Sequence, residues 1–548
     1  MDDFRDRFKH LTGYDPFDWQ ERLFQKFLNG DFPDACDVPT GLGKTSVMAI
    51  WLIALGHLLK EKDRKIPLRL VYVVDRRVIV DQATEEAERL WEALRQALLD
   101  TSSPLNSLAQ TLREASMKGH ESLIALSTLR GQKADNREWC LDPSRPAIIV
   151  GTVDMIGSRL LFSGYGKVGI NHRSLQAGLL GQDTIVVIDE AHLSPVFVAT
   201  LLAIKKAVQK TPSLRPFHVM SLSATLGKQG KPFEIDELKE LQNEQARLRL
   251  NAKKQIEFLP FEQTAKAKEG KKASRKEIDE AFAERLVDRV IQSERAAGPE
   301  SAKSVVIFVR TVDLVNMIAE KLGSELEKLA VWNEAGESVD KKELKKMRDG
   351  IEGRVLKITG EMRGYERDKL VESPKFQAFL HERDRETPRP TQYLIATSSA
   401  EVGVNLDADD GLCDLSTLDS MIQRIGRINR FGKTEATITV VVDEKGLDAF
   451  ESAYRQDEER RQIVSKLTAE IDQLQSRLIT APADKPAKKE TRKEISAKES
   501  ERKKLAKKVA DNIAGNIEPT DAKLYFTWKA LISRQQVTQG QCVASGLA

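Results

Sequence analysis

Val38-Pro39-Thr40-Gly41-Leu42-Gly43-Lys44-Thr45 runs directly into the apolar segment Ser46–Leu59. A glycine-bearing turn that ends in Lys-Thr and opens a helix is a phosphate-binding loop, here with Val at the place of the usual first Gly. Gly41 and Gly43 let backbone amides wrap phosphate oxygens, with Thr40 and Leu42 between and before them. Lys44 supplies a point charge to the β- and γ-phosphates, Thr45 offers a hydroxyl to Mg²⁺, and the helix N-terminus adds partial positive charge. The second deciding stretch is Val186-Val187-Ile188-Asp189-Glu190-Ala191-His192, a hydrophobic strand that ends in paired acids. Asp189 is placed to hold Mg²⁺ through its hydration shell, and Glu190 to orient and deprotonate an attacking water. Strand C-termini are where open α/β sheets bind ligands.

Outward from these stretches, short apolar runs alternate with helical patterns. Leu70–Val74, Ala147–Val150, Ile185–Ile188 and His218–Leu222 read as buried parallel strands, with helical segments such as Gln82–Leu98 between them. Ser304–Val309, Val355–Ile358, Gln392–Ala396 and Ala436–Val442 repeat the alternation. The fold class is therefore α/β, with a doubly wound domain expected at 1–230 and a second α/β domain at 301–450. Residues 231–300, crowded with Lys266, Lys268, Lys271, Lys272, Arg275 and Lys276, read as a charged linker or insert. In 451–548, Ile463, Leu467, Ile471, Leu474 and Leu478 recur at helical spacing. With a break at Pro482–Pro486 and a basic stretch after it, they predict a helical hairpin. That basic arm either holds nucleic acid or is a solvated helix of mixed Glu and Lys.

Composition sets bounds. The 548 residues hold 86 Lys+Arg and 83 Asp+Glu, a net charge of +3, which excludes a histone-like polycation but not a local basic groove. The length suggests about three or four domains. Cys36, Cys140, Cys413 and Cys542 form no CxxC pair, so a disulfide scaffold or zinc ribbon is disfavoured and a reducing, cytoplasmic setting is expected. The N-terminus lacks the pattern of a signal peptide, and Val47–Leu59 is too short to span a bilayer, so no membrane is expected.

Gln423-Arg424-Ile425-Gly426-Arg427-Ile428-Asn429-Arg430 adds a basic run from the second domain. Guanidinium groups stabilise the charge of a transferring phosphoryl group, so Arg427 and Arg430 read as arginine fingers. With Ser223-Ala224-Thr225 and Ala396–Asp407 in order between the acids and this run, the chain resembles a superfamily 2 helicase of the DEAH type over about residues 13–445. That resemblance implies ATP and Mg²⁺ as cofactors. It implies roles for His192, Ser223, Thr225 and Gln423 in coupling hydrolysis to domain position, and for Gly403 and Asp407 at the nucleotide. The segment Gly13–Gln20 resembles a Q motif, in which Gln20 contacts the adenine edge and Tyr14 or Phe17 stacks on the base; a hydrophobic staple before a helix is the alternative.

Val73–Gln82, Gly151–Phe162 and Thr359–Arg363 with Glu366-Arg367 resemble the CRISPR-associated type I helicase–nuclease family, and Asp75-Arg76-Arg77 with Leu129–Gln132 most resembles its type I-U (I-G) branch. The family resemblance implies an ATP-driven 3′–5′ motor on the displaced single-stranded DNA of an R-loop. It implies recruitment by a guide-RNA surveillance complex (Cascade) and monomeric action. It places Arg76, Arg77, Thr152, Arg159, Arg310 and Thr397 against nucleic acid; ion pairing within the protein is the alternative for Arg76 and Arg77. The family's nuclease needs an adjacent His-Asp pair. None of the seven His is followed by Asp, so the nuclease is expected in cis beyond residue 548 or in trans. A DNA-repair or RNA helicase, or an ATP-gated nucleic-acid clamp, would share the same motor residues.

Overall fold

The computed structural model describes residues 2–442 except 40, 62–63, 76, 117–122, 130–135, 165–168, 212–214, 224–231, 262–273, 299–300, 302, 334–349, 352, 363, 381–382, 386, 402–404 and 417. Beyond 442 it describes 463, 466–471, 473–474 and 493–502.

Seven strands build the first sheet: β1 (Ala35–Asp37), β2 (Arg69–Val74), β3 (Ala125–Leu129), β4 (Ala147–Thr152), β5 (Thr184–Asp189), β6 (Phe217–Ser223) and β7 (Pro232–Glu234). Their order is β3-β4-β2-β5-β6-β1-β7, and every pairing is parallel. Six strands build the second: β8 (Lys254–Pro260), β9 (Ser304–Phe308), β10 (Val355–Ile358), β11 (Gln392–Ala396), β12 (Asp410–Asp414) and β13 (Ala436–Val442). Their order is β10-β11-β9-β12-β13-β8, again all parallel. The two α/β domains expected from the apolar runs are observed, as the tandem RecA-like fold that the helicase resemblance implies.

The runs lack alternation because both faces of each sheet are covered by helices. In β2, Leu70, Tyr72 and Val74 enter one core while Val71 and Val73 enter the other. In β9, Val306 and Phe308 face one core and Val305 and Ile307 the opposite one. The apolar segment after the phosphate loop is a helix, Val47–Leu58, with ten of its twelve residues buried. Gly56 is needed there: a Cβ would lie 2.0 Å from the Cδ1 of Leu108, on the crossing helix Asn106–Ala115. Among the described residues no helix is long and apolar enough to cross a membrane.

The charged stretch 231–300 is corrected from a linker to a structural contributor. β7 extends the first sheet beside β1, β8 pairs with β13 along its full length, and the helix Arg275–Ala297 buries Phe282, Leu286, Val290 and Ile291. Lys266, Lys268, Lys271 and Lys272, on which the linker reading rested, lie outside the described residues. A further helix, Asp2–Thr12, buries Phe4, Phe8 and Leu11, with the Phe4 ring stacked 4.2 Å from that of Phe24. Most of the expected hairpin lies outside the described residues. Within them, Leu467 and Ile471 are buried, and the Lys498 Nζ lies 2.6 Å from Glu470 Oε2.

Candidate active site

β1 delivers the chain into the phosphate loop. Gly41 (φ 92°) and Gly43 (φ 74°) occupy the left-handed region, which glycine enters without a steric penalty. Two residues of the helix Asp18–Leu28 brace the loop: Trp19 Nε1 donates to the Leu42 carbonyl at 3.1 Å, and Gln20 Nε2 donates to Ser46 Oγ at 2.7 Å. Gln20 Oε1 also accepts from the Phe17 amide at 2.8 Å. Both ends of this buried amide are thus engaged within the protein. The amide of Gln20, expected at the adenine edge, lies buried beside Gly43, where it braces the phosphate loop.

β5 ends at Asp189, and Glu190 follows in a left-handed conformation (φ 48°) that turns its carboxylate inward. Glu190 Oε1 meets Lys44 Nζ at 3.0 Å, a buried ion pair, and His192 Nδ1 stands 3.5 Å from Glu190 Oε2. Burial raises the Glu190 carboxyl, but Lys44 outweighs it and the net shift is downward. Burial and then the adjacent Glu190 push Asp189 up to about 6, with Lys44 opposing. One group in this pair stays ionised while its neighbour is easily protonated, the asymmetry expected when two carboxylates share one cation.

The second sheet supplies the facing wall. Gln423, on the helix Leu418–Ile425, faces Glu190 across the cleft and is among the groups that lower its carboxyl. Arg427 Nε donates to the Glu401 carbonyl at 2.8 Å, and its charge is felt by Glu190 and Asp189. Arg430 Nη1 donates to Asn405 Oδ1 at 2.7 Å, and a Cβ on Gly41 would lie 3.8 Å from Arg430 Nε. Arg430 is pushed down to about 9 by burial and then by the charges of Arg427 and Arg249. Three guanidinium groups crowded in this way favour an incoming anion. The walls enclose a cleft of about 350 Å³, lined by Lys44, Thr45, Tyr72, Asp189 and Glu190 on one side and Asn405, Gln423, Arg427 and Arg430 on the other. Thr45 and Asp189 converge there with oxygen ligands suited to a hard divalent cation.

Several expected site residues are placed elsewhere. Asp407 does not line the cleft: it is buried, its Oδ2 meets Arg385 at 2.7 Å, and its Oδ1 accepts from the Arg430 amide at 2.8 Å. Expected at the nucleotide, it supports the Arg430 loop in this structure. Thr152 and Arg159 are buried, Thr152 capping the helix Val153–Leu160 and Arg159 Nη1 donating to the Met155 carbonyl at 2.9 Å. Thr397 is buried and caps the turn Ser398–Ala400. The side chains of these three, expected against nucleic acid, thus engage their own backbone in this structure. Arg310 is half-exposed and meets Asp414 Oδ2 at 2.7 Å. Arg77 begins the helix Arg77–Leu99 and Ser223 ends β6. Thr40, Arg76, Thr225 and Gly403 lie outside the described residues.

Tyr72, Asn405 and Arg249 were not anticipated. Tyr72 carries the one hydroxyl in an otherwise apolar stretch of β2, a signal available in the sequence. Arg249 belongs to the helix Glu244–Leu250 between the sheets, and nothing local marks it. Its Nη1 donates to the Gly41 carbonyl at 2.5 Å, and its guanidinium lies over the rings of Phe17 (5.5 Å) and Phe431 (4.8 Å).

Residues 13–228 match the family described as type III restriction enzyme, res subunit, and residues 301–433 match CRISPR-associated nuclease/helicase Cas3, C-terminal. No curated protein matches the chain. Among solved structures, the DUF1998 helicase MrfA bound to DNA is similar at 14% identity and a TM-score of 0.51, over 82% of this chain and 50% of that one. T. fusca Cas3 with AMPPNP is similar at 15% identity and a TM-score of 0.48, over 81% of this chain and 49% of that one. The chain thus spans about half the length of these neighbours. Two parallel sheets face each other across a phosphate loop, paired acids and opposing arginines; the fold is tandem RecA-like, and the separate family matches to its two α/β domains support an ATP-dependent helicase, a hydrolase.

Proposed function

We propose that the chain is the motor of a type I CRISPR interference system. In this reading it is a monomeric cytoplasmic translocase that uses ATP to move 3′ to 5′ on the displaced single-stranded DNA of an R-loop. The Cas3-like match over 301–433 supports the CRISPR setting. On the same reading the chain is recruited by a guide-RNA surveillance complex and works with a nuclease in cis or in trans; the flanking residues favour the I-U branch. The observation that carries the ATP-driven reaction is the cleft, with Lys44, Asp189 and Glu190 on one wall and Gln423, Arg427 and Arg430 on the other.

In the resting geometry Lys44 is paired with Glu190. An entering triphosphate competes for the Lys44 ammonium and draws in Arg427 and Arg430. Releasing Glu190 from Lys44 leaves its carboxylate, facing Gln423 across the cleft, to orient the attacking water and accept its proton. Thr45 and Asp189 are the residues that would hold Mg²⁺, which supplies neutralising charge at the β- and γ-oxygens. Because each sheet contributes half of the anion's partners, nucleotide favours the closed arrangement, and loss of the γ-phosphate removes that preference.

The test is steady-state ATP hydrolysis without nucleic acid, with single-stranded DNA, and with single-stranded RNA, with Lys44→Ala as blank. Stimulation by DNA but not RNA, abolished in the variant, is expected. Stimulation by RNA alone would overturn the DNA motor in favour of an RNA helicase.

A further inference from the structure

Tyr72 stands in the middle of β2, between β4 and β5, and is fully buried. Its ring joins the core that holds the helix Val47–Leu58, while its hydroxyl end reaches the cleft lining. There the oxygen lies against Thr45 and Asp189. Yet it makes no hydrogen bond of normal geometry with any described residue. A phenylalanine would fill the same core volume, and a buried hydroxyl left unsatisfied lowers stability. The hydroxyl thus answers no need of the packed core. What it faces is the meeting point of Thr45 and Asp189, the two side chains suited to a divalent cation.

We propose that Tyr72 is a positioning residue for the cation–nucleotide complex. With Mg²⁺ and nucleotide in the cleft, Tyr72 Oη accepts a hydrogen bond from one water of the cation's hydration shell and donates its own hydrogen to Asp189. This orients the carboxylate and satisfies the hydroxyl at once. The inference rests on the reading of the cleft as a Mg–ATP site. Outer partners of this kind commonly change metal affinity by about 10–100-fold.

The experiment uses Tyr72→Phe in the full chain and a fluorescent ADP analogue, titrated with Mg²⁺ after chelation of residual metal. The free Mg²⁺ needed for half of the metal-dependent increase in binding should rise about tenfold. Binding of the analogue in the chelator should stay within twofold of the wild type. The melting temperature of the nucleotide-free protein should be equal or higher, because an unsatisfied hydroxyl has been removed. An unchanged Mg²⁺ requirement would overturn the proposal. So would equal losses of affinity with and without metal accompanied by a lower melting temperature, which would assign Tyr72 to packing alone. Failure of the underlying reading looks different: the wild type itself would show no Mg²⁺-dependent binding, or Lys44→Ala would bind as well as the wild type.

Discussion

Arg424, Arg427 and Arg430 recur every three residues, yet their surroundings divide their work. Arg424 is buried, with Nε 2.7 Å from Glu401 and Nη1 2.7 Å from Asp414. Removing one partner from such a network strands the others, so Arg424→Ala should cost about 3–5 kcal/mol and be read as a large fall in melting temperature. Arg427 reaches the cleft and holds one backbone carbonyl. Arg427→Ala should leave melting nearly unchanged and cut ATP turnover by about 10³-fold, the lower range for an arginine finger. Glu190→Gln should behave in a third way. It should suppress hydrolysis while preserving or strengthening nucleotide binding, because Lys44 is no longer held by a carboxylate; equilibrium binding beside turnover checks both halves.

At the scale of elements, the stretch from Glu237–Glu240 to Glu244–Leu250 decides how the two sheets meet. Glu240 Oε1 accepts from the Trp19 amide at 2.6 Å, Arg249 holds the Gly41 carbonyl, and Leu248 lies under Gly432. Gly432 (φ 66°) has no room for a side chain: a Cβ would come 1.9 Å from the Leu248 carbonyl oxygen. One short segment thus touches the brace of the phosphate loop, the loop itself and the turn that follows the arginines. Arg249→Ala should raise the KM for ATP about tenfold, the scale of a charged hydrogen bond, with a smaller effect on kcat. A pure stability defect would instead lower the active fraction and leave KM unchanged.

For the whole molecule, two buried titratable groups tilt stability with pH in opposite senses. Burial pushes Glu240 up to about 7, so the folded state binds more protons than the unfolded one between about 4.5 and 7. The stability this gives is present below about 4.5 and is lost as pH rises through 7. Burial, then Lys205, pushes His218 down to about 4, so its contribution is present above about 6.5 and is lost as pH falls toward 4. Glu240→Gln keeps an acceptor for the Trp19 amide and removes the first term. Its melting temperature should match the wild type near pH 4.5 and exceed it increasingly up to pH 8. An advantage that shrinks with rising pH would contradict this assignment.

Much of this molecule is legible along the chain because the deciding physics is local. Consecutive backbone amides around Gly41 and Gly43 make the phosphate loop, and uninterrupted apolar runs such as Leu70–Val74 announce strands covered on both faces. β12 is absent from the apolar runs because Asp410, Gly411 and Asp414 interrupt it, and its two acids find partners only in the fold, in Lys303, Arg310 and Arg424. β7 and β8 were hidden by the lysines around them. The sequence by itself determined the tandem α/β class, the phosphate loop, the paired acids and the arginines opposite. Only the tertiary structure decided that Asp407 supports a loop, that Thr152, Arg159 and Thr397 turn inward, and that Tyr72 and Arg249 join the cleft. Burial and partner choice depend on residues distant along the chain, and spacing along one strand or helix does not encode them.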